Sequence, residues 1–555
     1  MRSGLILVGV AGLVLSWCAT AASGSDQPTW VGDELVYPEN GHIPRSLTEI
    51  EQLYLRENPL GTRGSTPPPT GPVHCVAEYE PMEGLIIAWE GWDSSVTSIL
   101  TRIAKEVTVT AGGKIYCYVD TTGERTSAQS TMSAGGVNLS KVTFIVRTTD
   151  TIWCRDYGPR YIYEGDCRAV VDHEYNRPRP NDNGVPLHFA GVKRHEYYLL
   201  DLIHGGGNYH LSALGDSFAT RLITQENPSK TEAQIIQIWH DYQNVDTTLY
   251  NRFPTSIDST GHIDMWMQVI GDNQVIISDW PANQGSSQDV ICETAVTDLT
   301  NRGWTVHRIP ARNVGGVHYT YTNSVMFNNI VLIPSYTNST IVNAGYNTQA
   351  LTTWQNACPG KTIIQFSGEP IVSSAGVFHC IVMHVPVPLG GTNPTAYLKT
   401  QNGGQVYNPG DVAAINWITD DDVNVSNVDL LLSTDGGANF DTVIASATAD
   451  DGAFNWNVPD VYTTRARIRV VAHDGNGNTG FDDSDADFTI NGTPVLCPAD
   501  LDGDGSVGLG DLSVLLTNFG LASGAQPEDG DLDGDGDVDL ADLSAMLEVF
   551  GTGCP

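Results

Sequence analysis

The chain has 555 residues, too many for one hydrophobic core, and a formal net charge of -37 from 28 Lys+Arg against 65 Asp+Glu. That acidity argues against nucleic acid and anionic membranes as partners. Hydropathy leaves one apolar run, Leu5–Leu15, shorter than the ~20 residues a membrane span needs.

That run follows Arg2 and precedes Ala19-Thr20-Ala21, the pattern of a cleaved signal peptide over 1–21 and hence of an exported, secreted or surface-associated protein. Trp17 before Cys18 is too bulky for an ordinary lipid-attachment site. Residues 22–72 are polar and end in Thr66-Pro-Pro-Pro-Thr70, which reads as a leader or propeptide with a stiff linker. From 73 to 390, strand-like runs (Leu85–Trp89, Val142–Val146, Val275–Ile277, Ile330–Ile333) alternate with helical stretches such as Thr231–Tyr242, predicting an α/β domain. After the Gly-Gly-Thr-Asn-Pro-Thr linker, 396–491 alternates like an all-β sandwich, with Ala413–Trp417, Val428–Leu432 and Ala466–Val470 as strands. It carries no constellation of catalytic residue types, so a structural or adhesive module is expected there.

The segment 497–555 repeats itself. Asp500, Asp502, Asp504, Ser506 and Asp511 recur as Asp531, Asp533, Asp535, Asp537 and Asp542, with Gly505 and Gly536 at the sixth loop position. Carboxylates at positions 1, 3, 5 and 12 around such a glycine match a twelve-residue calcium loop, predicting two Ca2+ ions. One short helix after each loop (Leu512–Phe519, Leu543–Phe550) and Asp at position 12 resemble the dockerin family. That resemblance implies a small α-helical module docking onto a cohesin-like partner. Cys497 and Cys554 bracket the unit and are candidates to staple its ends.

Four stretches of the α/β domain carry reactive residues beside glycine and aromatics. They are Trp153-Cys-Arg-Asp156-Tyr-Gly158, Gly205-Gly-Gly-Asn208, His262-Ile-Asp264 and Phe378-His-Cys380. On a strand, His262 and Asp264 would face one side. A thiol protease has no use for two further acids, which would oppose an anionic intermediate. A guanidinium reverses that argument, because carboxylates match its five donors bidentately and keep its carbon open to a thiolate. Export leaves nine cysteines after loss of Cys18, so one thiol must stay unpaired within the chain; Cys380 is the expected one.

These stretches, with Tyr321-Thr-Asn323-Ser324 and the opening Ala77-Glu-Tyr-Glu-Pro-Met-Glu-Gly84, resemble the bacterial peptidylarginine deiminase and agmatine deiminase family. The resemblance implies a five-bladed, pentein-like α/β propeller with the site at its centre and no cofactor for catalysis. It implies Cys380 as nucleophile, His262 as acid and base, Asp156 and Asp264 as the guanidinium clamp, and Asn323 as a positioning group. Trp153 and Asn208 are implied substrate contacts. An acidic residue usual shortly after the GGN run is missing; either Asp216 replaces it from a shifted loop or the contact is absent. His204, His210, His379 and His384 are expected in supporting roles.

The stretch Asn176-Arg177-Pro-Arg179-Pro-Asn-Asp182 holds two arginines in a proline-stiffened segment. Residues two apart in extended chain point the same way, so both guanidinium groups would face one target, or both are solvated charges on a turn. A similar Arg-Pro-Arg-Pro stretch in the peptidylarginine branch implies a grip on the terminal carboxylate of a peptide ending in arginine, giving citrulline and ammonia. Free arginine or agmatine is the alternative substrate, and a non-catalytic calcium-dependent adhesion or scaffold protein is the alternative class.

Overall fold

The computed structural model describes residues 27–38, 41–90, 92, 94–493 and 497–554. The expected signal peptide over 1–21 lies outside them. Among the described residues, no helix is long and apolar enough to cross a membrane. The chain divides into two compact units, one running to Thr392 and taking in Asp420–Asn424, the other made of Asn393–Thr419 and Val425–Pro555.

The first unit repeats one motif. An antiparallel pair of strands is followed by a crossover helix and a third strand parallel to the second. Asp216–Thr220 pairs antiparallel with His210–Leu211, and Glu232–Gln243 then carries the chain to the parallel strand Asp246–Tyr250. Met267–Gly271, Gln274–Asp279 and Thr305–Pro310 repeat the order around Ser287–Asn301. Val325–Phe327, Ile330–Ser335 and Thr362–Ser367 do so around Tyr346–Ala357. Two short antiparallel pairs, Thr29–Val31 with Glu34–Val36 and Arg312–Val314 with Val317–Tyr319, stand apart, and two further sheets each have four strands. In one, Arg160–Glu164, Cys167–Tyr175 and Glu196–His204 carry the motif and Val73–Cys75 is added at the edge. In the other, Met82–Ala88 pairs antiparallel with Met383–Pro386, so the two ends of the α/β region meet in one sheet. Five sheets of three or four strands thus share one internal strand order.

The crossover helix expected at Thr231–Tyr242 spans Glu232–Gln243, one residue later, because Thr231 is its cap: the Thr231 hydroxyl accepts from Gln234 N and the Gln234 side chain from Thr231 N. The central strands read as unbroken apolar runs because both faces are covered, as the wholly buried Leu85, Ile86 and Ile87 illustrate.

Each sheet is preceded by a tight turn, and this repetition builds the site. Asp156, Asn208, Asp264, Asn323 and Cys380 lie two to four residues ahead of strands beginning at Arg160, His210, Met267, Val325 and Met383. Five residues far apart in sequence occupy equivalent positions of five sheets.

The segment expected as a leader with a stiff linker has structure of its own. It carries a helix, Glu49–Glu57, started by a Thr48/Glu51 capping box, and this segment lies against the α/β region.

In the second unit, strands from two sheets share one core that includes Trp417, Leu430, Trp456, Val470 and Phe488. The last segment is separately cored by Val507, Leu515, Val538 and Met546, and Cys497 is disulfide-bonded to Cys554. Its helices are Leu509–Asn518 and Leu540–Val549, starting three residues earlier than expected because Asp511 and Asp542 turn back to accept from Gly508 N and Asp539 N.

Candidate active site

Asp156 sits on the single turn Cys154–Tyr157, His262 and Asp264 on the turn Ile263–Met265 and its cap, and Cys380 on the turn His379–Ile381. The strand expected for His262 and Asp264 is therefore a short 3-10 turn. The two side chains still converge, because Asn208 Oδ1 accepts from Ile263 N and Thr322 Oγ1 donates to Asp264 O, fixing the turn from two sides. Cys380, His262, Asp156, Asp264 and Asn323 are all fully buried.

A guanidinium already lies between the two acids, and it comes from the leader. Arg45 Nε and Nη2 donate to the two oxygens of Asp156, both at 2.8 Å. Arg45 Nη1 and Nη2 reach the two oxygens of Asp264 at 3.1 and 3.0 Å. His262 Nδ1 lies 2.7 Å from Nη2, and Nη1 contacts Met265 Sδ at 3.5 Å. The site thus performs in place the double bidentate recognition expected of it. Glycine is required beside it: a Cβ on Gly207 would fall 1.8 Å from Arg45 Nη2, and one on Gly376 would fall 2.9 Å from Cys380 Sγ.

Asn323 Nδ2 and Oδ1 lie 3.1 and 3.2 Å from Cys380 Sγ, and Oδ1 also accepts from Val377 N, so this amide orients the sulfur. Sγ is 3.7 Å from Asp264 Oδ2. Burial pushes the Cys380 thiol up; the Arg45 charge opposes that, Asp264 and Asp156 add to it, and the net value lies well above the usual range. Burial, the largest single influence, would raise Asp156 and Asp264, but Arg45 together with His262, and for Asp264 also His379, holds both below the ordinary carboxylate range.

His379 is closer to the chemistry than its neighbours in sequence revealed. Its Nδ1 is 3.0 Å from Asp264 Oδ2 and its Nε2 is 2.9 Å from Glu78 Oε1, so it ties a clamp acid to a second, half-buried carboxylate. Glu78 in turn accepts from Arg155 Nη1 at 2.7 Å. His384 contacts Arg155 at 2.8 Å, while His204 and His210 lie in aromatic packing. Burial lowers His210 to about 3 and His384 to about 4, so both are neutral.

Three expectations need correction. Asn208 is not at the guanidinium: its oxygen accepts from Thr220 N and Ile263 N and its amide donates to Thr220 O, so it braces the turn. Asp216 does not replace the missing acid, because it opens a strand away from the clamp and pairs with Arg302. The cysteine count does not single out Cys380 either, since among the described residues seven buried cysteines lie outside the Cys497–Cys554 disulfide. Cys380 is distinguished by its neighbours instead.

Arg177 and Arg179 do not share one target. Arg177 Nε donates to the main-chain oxygen of Arg45 at 3.1 Å. Arg179 Nε donates to Glu51 Oε1 and Nη2 to Pro44 O, both at 2.8 Å. They diverge because Pro180 starts a short helix, Pro180–Asn183, ending the extended stretch that would have kept them parallel. Trp153 Nε1 donates to Ile43 O at 2.9 Å, so it too meets the peptide around the bound arginine.

Burial, the largest single influence, would raise Glu51, but Arg179 together with hydrogen bonds from Thr48 N and Tyr37 keeps the carboxyl below its ordinary value. A depressed value means that this pairing stabilises the seated leader fully above the free carboxylate range near ~4.3 and is lost as pH falls through the lowered one. Hydrogen exchange of the Glu49–Glu57 amides, corrected for intrinsic rate, should show constant protection from about pH 7 to 5 and declining protection below ~4; decline between 7 and 5 would contradict the pairing.

A family model described as Porphyromonas-type peptidyl-arginine deiminase matches residues 74–386, more than half of the chain. The chain belongs to that family. This peptidyl-arginine deiminase relative is 23% identical over 381 residues to an agmatine deiminase of Ectopseudomonas mendocina, covering 59% of this chain and 99% of that protein. Among solved structures it is similar to an agmatine deiminase of Enterococcus faecalis (19% identity, TM-score 0.49, 57% of this chain and 96% of the other). It is also similar to a putative arginine deiminase from Porphyromonas gingivalis (16% identity, TM-score 0.49, 57% and 98%). The deiminase family acts on guanidino C–N bonds, and this chain is accordingly a guanidino-group deiminase.

Proposed function

We propose that the protein is a secreted deiminase of peptidyl-arginine with a free C-terminal carboxylate, forming citrulline and ammonia. The observation that carries the reading is the pair of anchors on one arginine: Asp156 and Asp264 on its guanidinium, Arg177 on its main-chain carbonyl. A terminal arginine would bring a carboxylate to that carbonyl position, where a second oxygen and a full negative charge strengthen the contact.

In the proposed reaction, the Cys380 thiolate attacks Cζ of the clamped guanidinium, forming a C–S bond. The nitrogen at the Nη2 position, beside His262 Nδ1, takes a proton from His262 and leaves as ammonia. The cysteine-bound thiouronium is then attacked by water, whose proton passes to His262, and the C–S bond breaks to return the thiolate. Asp156 and Asp264 neutralise the cation throughout, and Asn323 keeps Sγ on the attacking side.

Agmatine or free arginine is the second reading, because the curated relative above is named an agmatine deiminase. Agmatine has no carboxylate, so Arg177 would gain nothing from it. Arg177→Ala should lower kcat/KM for a peptide ending in arginine about 10- to 100-fold, and that for its amide severalfold at most, since a charged hydrogen bond contributes ~1.5–3 kcal/mol. Equal losses on both, or turnover of agmatine above both, would overturn the assignment.

The reading also includes a calcium-binding, dockerin-like module and an immunoglobulin-like sandwich. Oxygens of Asp500, Asp502, Asp504 and Asp511 lie within 4.8 Å of one another, as do those of Asp531, Asp533 and Asp535, a hard all-oxygen donor set that suits Ca2+. Asp542 is grouped with Asp537 and Asp539. Chelation should expose 497–554 to proteolysis and lower its melting midpoint by ten degrees or more (order of magnitude) while leaving the α/β unit intact. Unchanged protection in chelator would contradict bound calcium.

A further inference from the structure

The groups expected to contact substrate hold residues of the chain itself. The clamp, Arg177, Arg179 and Trp153 all hold parts of one leader segment, Ile43 to Glu51. The main chain of Arg45 is fixed on both sides: its N–H donates to Ser374 O at 3.1 Å and its carbonyl accepts from Arg177. Glu51 accepts from Arg179 and from Tyr37, and Tyr37 OH is also 2.9 Å from Pro178 O. Farther on, Arg63 pairs with Asp172 and Glu174, and Thr66 N donates to Leu199 O.

We propose that residues 27–72 are a built-in pseudosubstrate: Arg45 fills the guanidinium clamp, Glu51 fills the anion-binding Arg179, and the enzyme is latent until the segment is displaced. The proposal rests on the deiminase reading for what is blocked, though not for the blocking itself. Arg45 is 0% exposed, as are Asp156, Asp264, His262 and Cys380, so the seated leader covers the thiol. The segment supplies a cationic head from Arg45 and, six residues on, an anion from Glu51 that pairs with Arg179. An arginine inside a continuing chain cannot supply a terminal carboxylate at Arg177.

Tethering makes the block strong. A ligand joined to its own site competes at a high effective concentration, and cutting the tether turns it into a dissociable peptide. The stretch Gly61 to Pro68 is mostly exposed, and a cut there would leave the α/β region whole.

The test uses the full chain as wild type, Arg45→Ala, Glu51→Gln, and a form with a specific protease site inserted between Gly64 and Ser65. Two quantities are read: alkylation of Cys380 by iodoacetamide, mapped by peptide mass, and ammonia release from a peptide ending in arginine. Wild type should be slow in both. Arg45→Ala and the cut form should be at least about tenfold faster in both, and Glu51→Gln intermediate. A synthetic peptide of residues 37–52 should slow the Arg45→Ala protein competitively, which separates occupancy from a folding effect. Should Arg45→Ala fail to fold, the cut form and Glu51→Gln carry the test. Wild type with its leader intact matching the cut form would overturn the proposal, and so would purified wild type carrying citrulline at position 45. If the variants open Cys380 to alkylation but no guanidino substrate yields ammonia, the seating stands and the deiminase reading falls.

Discussion

Cys380→Ala is expected to lower citrulline formation by about 10^4-fold or more, because removing the nucleophile from a covalent mechanism leaves only binding and charge stabilisation. Asn323 holds Sγ within 3.2 Å, and Sγ lies 3.7 Å from Asp264 Oδ2. The substitution removes one sulfur from a buried site, so the fold should persist, and unfolding by heat or denaturant checks that. Loss below a hundredfold would mean that the guanidinium is hydrolysed without a thiol adduct. Cys154→Ala, by contrast, should leave turnover within a few-fold, because its thiol donates to Ile86 O and lies in the apolar core.

Asp264→Asn carries the second large effect. The amide keeps the shape but places N–H donors where Arg45-like nitrogens also donate, and it removes one of two charges facing the cation. It also loosens His379, which Asp264 shares with Glu78. A loss of about 10^3-fold in kcat/KM, or ~4 kcal/mol of transition-state stabilisation, is expected. Asp156→Asn should cost a comparable amount, since Asp156 makes the two shortest carboxylate contacts with the guanidinium. Because each acid touches the same Nη2 nitrogen, the double variant should lose less than the sum of the two free energies. Steady-state ammonia release on matched preparations reads all three.

Much of this site was legible because its chemistry is local and repeated. Trp153–Asp156, His262–Asp264, Asn323 and Cys380 each sit in a short sequence of unusual character, and each such sequence stands just ahead of an apolar strand. The geometry that unites them is the repetition of one strand order in five sheets, which spacing alone leaves open. The arginine in the clamp was the part that could not be read. Arg45 lies 111 residues from Asp156 and 219 from Asp264, in a polar stretch whose charge pattern marks nothing. The one local signal was Thr48-Glu-Ile-Glu51, a capping box that announces a helix where a plain linker was expected. His262 and Asp264 were assigned to one face for the wrong reason, since a turn braced by Asn208, and no strand alternation, brings them together.

Arg177 and Arg179 illustrate the same limit. Their clustering with prolines identified a rigid cationic segment, but the onset of the Pro180–Asn183 helix sends the two side chains to different targets. What each meets depends on the segment across the site, here a carbonyl of Arg45 for Arg177 and the Glu51 carboxylate for Arg179.

The most direct test is acid-quench mass analysis of the leader-cut protein mixed with a peptide ending in arginine. The account predicts a transient adduct on the peptide that contains Cys380, its mass that of substrate less ammonia, decaying as citrulline appears and absent from Cys380→Ala. Citrulline forming at full rate with Cys380 never modified, or equally well in Cys380→Ala, would contradict it.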